Sequence, residues 1–118
     1  MWICFRDAYS SIVAHEREPA LLPVRARRRG DIENVFPYTR VPETPGRDYL
    51  FRTEIPRDEV SRVIAEVVGT MRATNFKSSV RDKELHAAYV DVWRRMAKLQ
   101  PIPPYRTEPR SRSASRVR

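Results

Sequence analysis

A single cysteine, Cys4, excludes an internal disulfide and leaves no CxxC pair to hold a structural zinc. Glycine is scarce too: three in the chain are too few for the usual phosphate-cradling loop, and no GxxxxGK[ST], GxGxxG or GxSxG pattern occurs. Histidine appears twice and never as HExxH. Apolar runs such as Ala20–Leu22 fall far short of the roughly 20 residues that cross a bilayer, so no membrane span is expected. The start, Met1-Trp2-Ile3-Cys4-Phe5-Arg6-Asp7, has no basic region ahead of an apolar stretch and no small-residue cleavage site. A secretory signal is therefore not expected, and a cytoplasmic setting is.

What remains is a chain of 118 residues, 41% hydrophobic and 32% charged, with the charges interspersed. Those values predict one globular domain with a single core, over residues 1–100. Its formal charge is +8. The C-terminal segment holds half of that excess: residues 106–118 contain five arginines against one acid, Glu108. With Pro101, Pro103 and Pro104 ahead of it, the segment 101–118 reads as a proline-stiffened and then Arg/Ser-rich disordered tail.

Local patterns place the elements. Trp2–Arg6 and Ala8–His15 are rich in β-branched and aromatic residues and flank Arg6-Asp7, which predicts an N-terminal hairpin. Residues 16–19 read as a loop, and Leu21–Arg29 alternates Leu22, Val24 and Ala26 against Pro23, Arg25 and Arg27, a strand with a cationic outer face. Asp31 is expected to cap a short helix carrying Ile32, Val35 and Phe36 and ended by Pro37. Tyr49, Phe51, Thr53 and Ile55 share one face of a further strand, with residues 38–42 as its weaker hairpin arm.

Two longer helices follow. Val60, Val63, Ile64, Val67, Val68 and Met71 mark an amphipathic helix from about Arg57 to Arg72, and Leu85, Tyr89, Val92, Met96 and Leu99 mark another from Asp82, its cap, to Leu99. The fold class is α+β: an antiparallel sheet of about four to five strands with two main helices packed on one face, ferredoxin-like or related.

The search for catalytic chemistry yields little. Cys4 reads as a buried, inert strand thiol, His15 as solvated, and His86 as a surface partner of Asp82 one helical turn away. The acid pairs Asp58-Glu59 and Asp31 with Glu33 sit at helix starts, where the dipole accounts for them. No catalytic residue, metal site or cofactor is expected.

The cationic residues are the stronger signal. Arg25, Arg27, Arg28 and Arg29 cluster at the end of one strand, and Arg47 and Arg52 flank the aromatic strand. Guanidinium groups suit phosphate, and Tyr49 or Phe5 on the same sheet would stack bases. The competing explanation is that these arginines keep a small sheet soluble and guard its edges. Trp93 reads first as a margin of the core and alternatively, with Tyr89, as a partner-binding aromatic of the last helix. In Asn75-Phe76-Lys77, Phe76 is expected to plug the core and Asn75 to cap a turn, with a ligand role for Asn75 and Lys77 as the alternative.

Six motifs stand in order: Met1-Trp2-Ile3; Tyr9-Ser10-Ser11-Ile12-Val13; Val24-Arg25-Ala26-Arg27 with Gly30-Asp31-Ile32-Glu33; Asp48-Tyr49-Leu50-Phe51-Arg52; Asn75-Phe76-Lys77-Ser78-Ser79-Val80; and His86-Ala87-Ala88-Tyr89-Val90-Asp91-Val92-Trp93. Over residues 1–99 this order resembles a family of small uncharacterised bacterial and phage proteins. The resemblance implies a bacterial cell or phage-infected host and carries no catalytic residue.

The sequence thus leads to a non-enzymatic binding protein contacting nucleic acid or a ribonucleoprotein, a description that a phage protein acting against host defence would fit. The alternative is a protein-interaction module or homodimer in which the arginines serve solubility.

Overall fold

The computed structural model describes residues 1–102. Strands β1 (Trp2–Cys4) and β2 (Tyr9–Ile12) form the expected N-terminal hairpin, closed by the Phe5 N–H donating to the Ala8 carbonyl at 2.8 Å. Strand β3 (Leu21–Ala26) pairs antiparallel with β2, and β4 (Phe51–Pro56) with β3. A short helix, α1 (Asp31–Val35), lies between β3 and β4, and α2 (Arg57–Gly69), α3 (Phe76–Ser79) and α4 (Lys83–Ala97) follow.

The class is α+β with a four-stranded antiparallel sheet, as the residue patterns predict. Its connectivity is a plain meander, β1-β2-β3-β4, without the crossovers that a ferredoxin-like arrangement needs.

Strand alternation divides the sheet into two faces. Ile12, Val24, Ala26, Phe51 and Ile55 form one side of the core, on which α1 packs Ile32 and Phe36 and α2 packs Val60, Val63 and Ile64. Helix α4 does not lie beside α2 on that face. With Val80, its Leu85 and Tyr89 pack on Cys4 and Tyr9, whose side chains alternate to the opposite side at the hairpin end of the sheet. Among the described residues, no helix is long and apolar enough to cross a membrane.

Several local expectations are corrected. Residues 38–42 form no strand; the segment meets β4 where the Thr53 hydroxyl donates to the Arg40 carbonyl at 3.0 Å, and the following Glu43 forms an isolated bridge with Phe51, because Pro37, Pro42 and Pro45 remove backbone donors that a ladder would use. Asp31 does not cap α1. Gly30 takes that place at φ 92°, leaving Asp31 2% exposed, where its Oδ2 accepts the Tyr9 N–H at 3.0 Å and its Oδ1 meets Arg28 at 3.1 Å.

His86 bonds the Lys77 carbonyl at 2.9 Å rather than the Asp82 side chain. Phe76 is 41% exposed, tilted against Tyr89, and is no core plug. Asn75 and Asp82 do cap as expected, accepting the N–H groups of Ser78 and Leu85. Of the expected tail over 101–118, residues 103–118, with the whole Arg/Ser-rich part from 106, lie outside the described residues.

Candidate nucleic-acid interface

The face of the sheet opposite α1 and α2 is covered by α4 at its hairpin end, over Cys4 and Tyr9, and carries Arg25 and Arg52 beyond it. Register puts Trp2 opposite Ser11, Ser11 opposite Arg25, and Arg25 opposite Arg52, so four residues from four strands stand in one row on this face. Like charges directly opposite on neighbouring strands are destabilising, and the Arg25–Arg52 pair is such a case.

Arg25 turns aside from Arg52: its Nη2 donates to Ser11 Oγ at 2.6 Å and its guanidinium lies 4.7 Å from the Tyr49 ring centroid. Its Nε is buried without a hydrogen-bond partner among the described residues.

A cleft of about 600 Å³ opens beside this pair, where the loop after β2 and the loop before β4 rise over β3 and β4. It is lined by Arg17, Arg25, Arg47 and Arg52, with Thr44 and His15 among its polar walls. Two glutamates, Glu16 and Glu54, also reach it. Glu54 is engaged by His15, whose Nε2 donates to its Oε1 at 3.0 Å. His15 is half-buried rather than solvated: its Nδ1 accepts the N–H groups of Arg17 and Glu18, which folds the loop and fixes the tautomer. Arg17, Arg47 and Arg52 make no ion pair among the described residues.

The other predicted arginines are occupied elsewhere. Arg27 stacks on Tyr49 at 4.3 Å and donates to both the carbonyl and the carboxylate of Asp48. Arg29 pairs with Glu43 and covers the Phe51 ring. Arg28 is a structural clamp: it reaches Asp31, Asp82 and Glu84 together, tying the entry of α1 to the start of α4, and its bond to Asp31 pushes its pKa up. A second recess, about 790 Å³, surrounds this clamp, and its arginines face Asp7, Asp31 and Asp82. Its four arginines face three aspartates, whereas the four of the first cleft face two glutamates, so an anion meets somewhat less unbalanced charge there.

No family model, curated protein or solved structure matches the chain.

The structure brings Arg25, Arg47 and Arg52 together, adds Arg17, and sets Arg27, Arg28 and Arg29 to intramolecular tasks. Neither proposed stacking ring is available: Phe5 and Tyr49 are buried, Tyr49 beneath the guanidiniums of Arg25 and Arg27. An exposed aromatic on this face is Trp2, 74% accessible, which the sequence pattern places only in the arm Trp2–Arg6 of the N-terminal hairpin.

Tyr89 is not a partner-binding residue. It is 5% exposed, and its hydroxyl donates to the carbonyls of Phe5 and Ala8. Trp93 is 37% exposed, with the Lys77 ammonium 4.8 Å from its ring. Lys77 and Asn75 are thus already used, on an indole and a helix cap. Cys4 is half-buried, and burial raises its thiol pKa, which keeps it protonated and unreactive. Among the described residues, no three His, Cys, Asp or Glu side chains gather to hold a metal ion.

Proposed function

We propose that this is a non-enzymatic nucleic-acid-binding protein that holds phosphates in the arginine-lined cleft on the open face of its sheet. One observation carries the reading: Arg25 and Arg52 are held directly opposite each other, with Arg47 and Arg17 at the same cleft. Arg25 is tied to Ser11 and Tyr49, but Arg52 makes no ion pair among the described residues, and its charge opposite Arg25 raises the free energy of the fold. A phosphate at the cleft would take a charge-assisted, bidentate contact from Arg52, with the charge of Arg25 beside it, and so offset the repulsion.

The cleft's histidine supports the non-enzymatic half of the reading. A general base needs a free nitrogen, and His15 has Nδ1 on two backbone donors and Nε2 on Glu54. The bacterial or phage setting implied by the motif order belongs to the same proposal, as does a ribonucleoprotein as the form in which the nucleic acid is met.

The test is binding of mixed-sequence RNA and DNA by the full chain, followed by fluorescence anisotropy across a salt series. Three phosphate contacts predict that log Kobs falls against log salt with a slope of about −2 to −3. Arg52→Ala should reduce the steepness by about 1. No binding at low salt, or a slope that Arg52→Ala and Arg47→Ala leave unchanged, rejects the cleft.

A second reading rests on a separate observation. Val68 and Met71 beyond the core-facing part of α2, and Val92, Met96 and Leu99 along α4, are exposed apolar side chains on the two helical stripes. They favour self-association or a protein partner through the helices, independent of the arginine cleft. Molar mass measured by light scattering over a concentration series separates a dimer from a monomer.

A further inference from the structure

We infer that the nucleic acid bound on this face is single-stranded, with one base stacked on Trp2 while its neighbouring phosphates lie against Arg25 and Arg52. The inference rests on the proposed nucleic-acid reading and adds to it the strandedness and the base contact. Trp2 lies on the edge strand β1, in the same cross-strand row as Ser11, Arg25 and Arg52. Strands in a sheet are spaced about 4.8 Å apart, which sets the indole roughly 10 Å from the backbone of Arg25 and roughly 14 Å from that of Arg52. One strand of nucleic acid running across the sheet can therefore meet both features.

Chemistry selects the ligand form. A tryptophan 74% exposed on a sheet face offers a flat apolar surface, while the neighbouring Ile3 points the other way and packs against the core. Ser11, between Trp2 and Arg25, is fully buried and its hydroxyl accepts from Arg25 Nη2 at 2.6 Å, so the Arg25 guanidinium itself reaches across toward the strand next to Trp2. A duplex keeps its bases stacked on one another inside the helix and presents only backbone and groove edges to a sheet. An unpaired strand turns base faces outward, and base-on-aromatic stacking beside a cationic track is how such strands are held without sequence preference.

The closing experiment uses the full chain with three probes: oligouridylate, oligodeoxythymidylate and a blunt mixed-sequence DNA duplex. The chain has two tryptophans, so Trp93→Phe leaves Trp2 as the only indole reporter. The expected result is quenching of Trp2 emission by the single strands and little by the duplex. Trp2→Ala should weaken single-strand binding about 5- to 150-fold and leave duplex binding within about twofold, while Trp2→Phe retains most of the affinity.

Quenching by either sugar type supports the inference, and a larger response to the ribose strand assigns RNA as the source. Salt-sensitive binding that favours duplex, or that Trp2→Ala leaves unchanged, overturns the stacking platform while the arginine cleft stands. Absence of binding to all three probes overturns both readings at once.

Discussion

The hydroxyl of Tyr89, on α4, donates to the carbonyl of Phe5 at 2.9 Å, joining two residues 84 positions apart, and reaches the Ala8 carbonyl at 2.8 Å as well. This pair of bonds holds the last helix to the turn between β1 and β2. The same turn orients β1, and with it Trp2, so a contact far from the arginine cleft helps set the geometry of the whole open face.

Removing that hydroxyl tests its contribution. Tyr89→Phe keeps the ring against Leu85 and Val80 but removes the hydroxyl donor from the Phe5 carbonyl, while the Ala8 carbonyl keeps the Phe5 N–H, a change expected to cost about 1–3 kcal/mol in urea unfolding. Burial also raises the Tyr89 phenol well above its ordinary range, with the nearby Cys4 adding to the effect. The folded chain therefore resists losing that proton while the unfolded chain gives it up. The stabilisation is complete below the unfolded value near pH 10 and fades as pH rises through and above it. Melting temperature measured from neutral to strongly alkaline pH should fall for the native chain, with a shallower fall in Tyr89→Phe.

Arg28 and Arg52 show why a cluster of arginines in sequence is not a cluster in function. Arg28 lies beyond the end of β3, two residues before the left-handed Gly30, so its side chain is outside the strand alternation and turns to Asp31, Asp82 and Glu84. Arg28→Ala strands the carboxylate of Asp31, 2% exposed, with only the Tyr9 N–H beside it; a loss of about 1–3 kcal/mol is expected, with nucleic-acid affinity per folded molecule within about twofold of the native chain. The acid limb adds a check. Asp82 is held below the ordinary carboxylate range, first by the Leu85 N–H and next by Arg28. Its share of stability is present above the ordinary carboxylate value near pH 4 and is lost as pH falls below it. Loss of the Arg28 contact should make the decline of melting temperature in acid less steep.

Much of the fold follows from residue patterns, because alternation and helical spacing are local. Val24, Ala26 and Ile55 face inward, Asp82 caps α4, and Val60, Val63 and Ile64 meet the sheet, all as their spacing predicts. What the pattern hides is non-local. Asp31 has the type and place of a helix cap, and only the approach of Tyr9 and Arg28 makes it a buried hub. The division of six arginines into cleft and scaffold depends on where Asp48, Glu43 and Asp82 come to rest. Trp2 on the open face depends on β1 being an edge strand of a meander. Strand order is not encoded in the period of any one strand.

The Arg25–Arg52 pair makes the sharpest separation between folding and function. Replacing Arg52 by threonine keeps a residue suited to a strand and removes a like charge facing Arg25 across β3 and β4. Cross-strand pairs contribute about 0.2–1 kcal/mol, so Arg52→Thr is expected to stabilise the fold by that amount, a rise of a few degrees in melting temperature. If the arginines served only solubility, the variant would lose nothing but charge. If they hold phosphate, the same variant weakens binding at low salt about tenfold, the effect of roughly 1.4 kcal/mol from one lost charge-assisted contact. Thermal unfolding and anisotropy on one preparation of Arg52→Thr give both answers. A stabilised variant with undiminished affinity would return Arg52 to the role of a solvated strand residue, and a stabilised variant that binds poorly would show that the sheet carries this charge at a cost for the sake of its ligand.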